Sequence, residues 1–117
     1  MIQRAVVQFD VVGFHCWPEA PAHRDYLSTT HRHRFYFRVA VDVFHADREL
    51  EFHDLLDFCK AHVPAAESDW GRDSCEEAAT KLGVAIRNKY GAARAVTVSC
   101  FEDNEVGAEC IFLAYKE

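Results

Sequence analysis

No apolar run in the 117-residue chain approaches the roughly 20 residues that cross a bilayer as a helix. The first residues also lack the basic flank, apolar stretch and small-residue cleavage site of a secretory leader. These two absences set the expectation of a cytoplasmic protein with no membrane partner. Positive charge is in deficit: 13 Lys and Arg stand against 19 Asp and Glu, a formal net charge of −6. A protein held on nucleic acid by phosphate neutralisation is therefore not expected, although His31 to Arg34 is locally basic and a small anionic ligand stays compatible. The five cysteines (Cys16, Cys59, Cys75, Cys100 and Cys110) are odd in number and lack CxxC spacing, so most of them read as small core residues. Linkers, low-complexity segments and short-period repeats are absent. Residues 1–117 therefore read as a single domain, and a composition that is 50% hydrophobic is enough to build its core.

The chemistry that is present concentrates at His31, Arg32 and His33. Side chains of an extended strand alternate between its faces, so His31 and His33 point one way and Arg32 the other. Two imidazoles on one face can share a metal ion, and zinc needs only one or two further donors. His15, at the end of the first apolar stretch, supplies the third: Val7, Phe9, Val11 and His15 share a face if the alternation persists. Three histidines without a fourth protein ligand describe a zinc site with one position open to water or substrate. The competing explanation is a set of surface histidines in a polar loop.

Taken in order, Ile2 to Phe14 reads as a strand, and Pro18 and Pro21 mark Cys16 to Thr30 as a loop. Arg34 to Phe44 is the clearest strand. Phe35, Phe37, Val39, Val41 and Val43 lie on one of its faces, with Tyr36, Arg38, Ala40 and Asp42 on the other. After the polar turn His45 to Arg48, the period changes: Phe52, Leu55, Leu56, Cys59 and Val63 form one helical stripe within Glu51 to Val63, ended by Pro64. Ala65 to Arg72 reads as a short connection. Ser74 with Glu77 is a capping-box pattern opening a second helix, whose buried side is Cys75, Ala78, Ala79, Leu82, Ala85, Ile86 and Tyr90, with Gly91 as its C-terminal cap. Ala93 to Phe101 and Ala108 to Tyr115 alternate as strands, joined by an acidic loop, Glu102 to Gly107. The expected fold class is α+β: a four-stranded antiparallel sheet in the order ββααββ with two helices on one face.

This order, with a histidine closing the first strand and His31-x-His33 opening the second, resembles the 6-pyruvoyl tetrahydropterin synthase and 6-carboxytetrahydropterin synthase family. Glu51-Phe52, Ser74-Cys75-Glu76 and the run Val98 to Glu102 followed by Gly107 look like further motifs of that family, and the resemblance spans nearly the whole chain. It implies the tunnelling fold, in which protomers join into an oligomeric β-barrel, a trimer or hexamer, with sites between protomers for pterins or purine-like bicycles. A four-stranded sheet has two open edges that such closure would hide. The resemblance also implies zinc (Zn2+) on His15, His31 and His33, and Glu102 as the ligand-binding residue, accepting hydrogen bonds from the bicycle's ring N–H and amine.

The chain departs from the family pattern at its catalytic base. No cysteine precedes His31 in Tyr26 to Thr30, and no Asp-His dipeptide lies between the helices. Asp25 and Cys16 are the substitutes that remain as candidate catalytic residues, against the plainer readings of a solvated loop acid and an incidental cysteine. Two functions compete on these grounds. One is a zinc-dependent lyase acting on a pterin or 7-deazapurine precursor; the other is a protein that holds such a ligand without turnover.

Overall fold

The computed structural model describes residues 1–115 and is α+β. Its sheet carries five strands, β1 (Gln3–His15), β2 (His31–Val43), β3 (Ser68–Asp69), β4 (Val96–Glu102) and β5 (Val106–Phe112), in the order β3-β1-β2-β4-β5. Helices α1 (Phe52–Ala61) and α2 (Cys75–Tyr90) cover one face, and a 3-10 helix at Ala22–Leu27 interrupts the long connection expected to be a loop. Among the described residues, no helix is long and apolar enough to cross a membrane.

The alternation of β2 decides which face is covered. Phe35, Phe37, Val39 and Val41 are buried beneath the helices together with Val96, Val98 and Cys100 of β4. Leu55 and Cys59 of α1, and Ala79, Leu82 and Ile86 of α2, close this core from the other side. Burial pushes the Cys59 thiol up to about 12, as expected of a cysteine that serves as packing. Phe52 is a correction: it lies at the first position of α1 and stays exposed, while Glu51 before it caps the helix by accepting from the Asp54 N–H at 2.6 Å. The capping box of Ser74 and Glu77 is present as expected.

The fifth strand is the larger correction. Ser68–Asp69 pairs parallel to β1 at Gly13 and Phe14, so the sheet is mixed rather than purely antiparallel. Two residues carry no periodic signal. Their position follows from Trp70, which stacks on Phe35 at 4.1 Å between centroids and is only 6% exposed. Glycine at position 13 permits this, because a Cβ there would come within 2.4 Å of the indole Nε1. The Trp70 N–H then donates to the Phe14 carbonyl, and the Cys16 N–H to the Gly71 carbonyl at 2.9 Å. The last strand also shifts, running over Val106–Phe112 instead of 108–115, and its turn shrinks to Asp103–Glu105.

At the opposite end, Arg94 ties the chain together through Glu49. Its guanidinium makes a paired contact with both carboxylate oxygens, donates to the Asp42 carbonyl at 2.9 Å and lies 4.3 Å from the Phe44 ring. The guanidinium beside Glu49 holds its carboxyl down at about 2. Because the folded value lies below the unfolded one, this pair stabilises the fold above pH ~4.5, and the stabilisation is lost as pH falls towards about 2. The two side chains are 12% and 15% exposed, so solvent screening limits the contribution to roughly 1–3 kcal/mol. Chemical denaturation between pH 2 and 6 should show a shallower acid limb in Glu49→Gln; parallel curves would assign the acid lability elsewhere.

Candidate metal centre

Register brings the three histidines together. His15 and His31 are cross-strand partners at the end of the β1–β2 ladder, and His33 faces Gly13, so all three extend the face that carries Phe35 and Val11. Both strands run further than expected at this end, which places the histidines inside the ladder rather than beside it. Their rings meet edge to face, with centroids 4.6 Å (His15–His31), 4.8 Å (His31–His33) and 5.2 Å (His15–His33) apart. One nitrogen from each lies within 4.8 Å of the others, and among the described residues this is the cluster of metal-ligating side chains close enough to share an ion.

The hydrogen bonds around the cluster assign its protons. His15 Nδ1 lies 2.9 Å from the Asp73 carbonyl and His31 Nδ1 lies 2.8 Å from the Thr29 carbonyl. His33 Nδ1 lies 2.6 Å from Asp103 Oδ2. Carbonyl and carboxylate oxygens only accept, so each Nδ1 carries the proton and donates. In the neutral rings every Nε2 is then a lone pair, and burial lowers the His15 pKa below its ordinary value, against the opposing pull of the Asp73 carbonyl and Glu102. His33 Nε2 is buried without a hydrogen-bond partner. Imidazoles grouped this closely, each with an acceptor on its Nδ1, match the arrangement by which proteins orient histidines for a metal. The donor set therefore fits a divalent first-row metal ion.

In the sequence Asp103 reads as one of several acids of the hairpin loop. It follows Glu102 in a turn whose residues Asp103 and Asn104 adopt φ of 54° and 59°, a conformation that Asp and Asn tolerate. Its carboxylate accepts from the Arg34 N–H at 3.0 Å as well as from His33, and these two hydrogen bonds hold its pKa below the usual carboxylate range. Asp103→Asn keeps the backbone conformation and removes the charge behind His33. Zinc affinity measured by chelator competition should fall by about 10–100-fold. An unchanged affinity would reduce the contact to a surface hydrogen bond.

Two of the three histidines, His15 and His31, line a cleft of about 840 Å³, and His33 lies outside its lining. Trp17, Leu27, the first turn of α2 and Glu102 also line the cleft. Cys16, a candidate catalytic residue, lines this cleft. Asp25, the other candidate, is exposed on the 3-10 helix outside the lining; its backbone carbonyl accepts from the Ser28 N–H at 2.9 Å and hydroxyl at 2.6 Å. Cys75, read only as a core residue, is buried with its Sγ 3.9 Å from Glu102 Oε1. His62 donates from Nδ1 to the Phe58 carbonyl at 2.8 Å and so caps the end of α1, and His23, His45 and His53 are exposed. Comparison with protein-family models finds none that matches the chain, and comparison with curated proteins finds no match either.

Proposed function

We propose that this chain is a zinc protein of the 6-pyruvoyl tetrahydropterin synthase type, which binds a pterin, a 7-deazapurine precursor or a related purine-like bicycle in the cleft above His15, His31 and His33. The observation that carries this reading is the grouping of three histidines, one nitrogen of each within 4.8 Å of the others, at the edge of a cleft large enough for such a ligand that His15 and His31 line. A bound zinc ion would polarise an oxygen of the ligand's side chain. The chain's own residues orient the imidazoles, through Asp73, Thr29 and Asp103, and set Glu102 beside them. The family's tunnelling fold belongs to the same proposal. The helix-free face exposes Val6 and Ile111, and the β5 edge is open, so closure of several sheets into a barrel would cover both.

A second reading, ligand capture without turnover, draws support from Asp25, which stands outside the cleft and leaves Cys16 as the remaining named candidate for a base. Mass spectrometry of small molecules released from the purified, denatured protein tests the shared claim, and light scattering tests the barrel. A pterin- or purine-like bicycle and a trimer or hexamer are expected. A monomer at micromolar concentration that releases no such bicycle and takes up none would contradict the proposal.

A further inference from the structure

Glu102 contacts the histidines in a way that hydrogen bonding from neutral rings does not explain. Its Oε1 lies 3.4 Å from His15 Nε2 and its Oε2 lies 3.4 Å from His33 Nε2. With every Nδ1 carrying its ring's proton, these contacts set acceptor against acceptor, which is unfavourable unless positive charge lies between them. Two donors bound to the same tetrahedral zinc at about 2.0–2.1 Å are separated by roughly 3.3–3.4 Å. Each carboxylate oxygen therefore already stands at ligand-to-ligand spacing from one imidazole, Oε1 from His15 and Oε2 from His33. We propose that Glu102 is a fourth ligand of the metal, so that the resting site is a closed three-histidine, one-carboxylate set for zinc or another first-row divalent cation.

The fold holds Glu102 to this position from both sides. It is the last residue of β4, opposite Phe35, and the register turns it to the same face as His33. The next residue, Asp103, is pinned to the Arg34 N–H and to His33, so the chain beyond Glu102 is fixed to the strand that bears the histidines. From α2, the Cys75 thiol donates to Oε1 at 3.9 Å. This inference rests on the metal reading and adds a consequence for ligand capture. A bicycle that takes Glu102 for its own N–H donors must draw the carboxylate away from the metal, and in doing so it opens a coordination position.

Cobalt substitution and azide test the proposal. The full chain is stripped of metal and loaded with Co2+, and its visible spectrum is followed as azide is added. The unmodified protein should not respond, because its coordination is closed. Glu102→Gln should respond, and its zinc affinity should fall by about 100-fold or more, beyond the usual loss of an outer-sphere partner. A spectrum that shifts with azide in the unmodified protein as it does in Glu102→Gln overturns the proposal. So does a variant with unchanged spectrum and affinity. If Glu102→Gln does not fold, as judged by circular dichroism, the azide response of the unmodified protein decides alone. Failure of the metal reading itself gives a different result: no bound-cobalt spectrum, or one that survives in His31→Ala/His33→Ala.

Discussion

His31→Ala/His33→Ala should purify with zinc reduced from about one ion per chain to background, the largest effect of any change at the site. Loss of one outer-sphere partner costs about 10–100-fold in affinity, so removal of two ligands should cost more than about 10³-fold. Both side chains lie at the end of the sheet, half-buried, and neither belongs to the core beneath the helices. The metal-free variant should therefore fold, with a circular dichroism spectrum like that of the stripped parent. A thermal shift separates the two proteins further. Zinc at about 100 times its dissociation constant should stabilise the parent by roughly 2.7 kcal/mol and leave the variant unmoved. Equal shifts in both would place the ion elsewhere on the chain.

Trp70→Ala should have the largest effect on stability, roughly 3–5 kcal/mol, out of the ~5–15 kcal/mol that holds a domain of this size together. The indole fills the space above Gly13, stacks on Phe35 and lies against Phe37, so its removal leaves a cavity below the histidines. Phe35 in turn packs edge to face on His15 at 5.2 Å and His33 at 5.8 Å. Denaturant unfolding gives the stability and chelator competition the zinc affinity. A loss of stability accompanied by weaker zinc binding is expected; a loss below ~1 kcal/mol would mean that the β1–β3 pairing holds without its anchor.

What the sequence makes legible follows from local rules. Alternation in β2, the Ser74–Glu77 capping box and the helical stripe Ala78, Ala79, Leu82, Ile86 are periodic or motif-like, and each marks the element it belongs to. The histidine trio is legible for the same reason, since a period of two puts His31 and His33 on one face and the end of β1 brings His15 to them. The features that escape are those decided by tertiary contact. Ser68–Asp69 is too short to show a period, and it becomes a strand because Trp70 packs onto Gly13. Phe52 fits a helical stripe, but it sits at the first position of α1, where the chain turns outward and the ring remains exposed. Asp103 reads as one of several acids in a loop until a tight turn sets it against His33. Cys75 fits the apolar side of α2 equally well whether or not Glu102 lies beyond it.

Asp25 stands outside the cleft, while Cys75 lies beside Glu102 and Asp103 against His33. A cluster in which every Nδ1 has an acceptor, and one nitrogen of each ring lies within 4.8 Å of the others, could hold a cation, and that is the central claim of the proposed function.

Anomalous diffraction from crystals of the purified protein, collected on both sides of the zinc absorption edge, tests that claim most directly. The account predicts a single anomalous peak per chain, about 2.0–2.1 Å from Nε2 of His15, His31 and His33. No peak at the histidines in zinc-supplemented crystals, or an ion bound elsewhere, would contradict it.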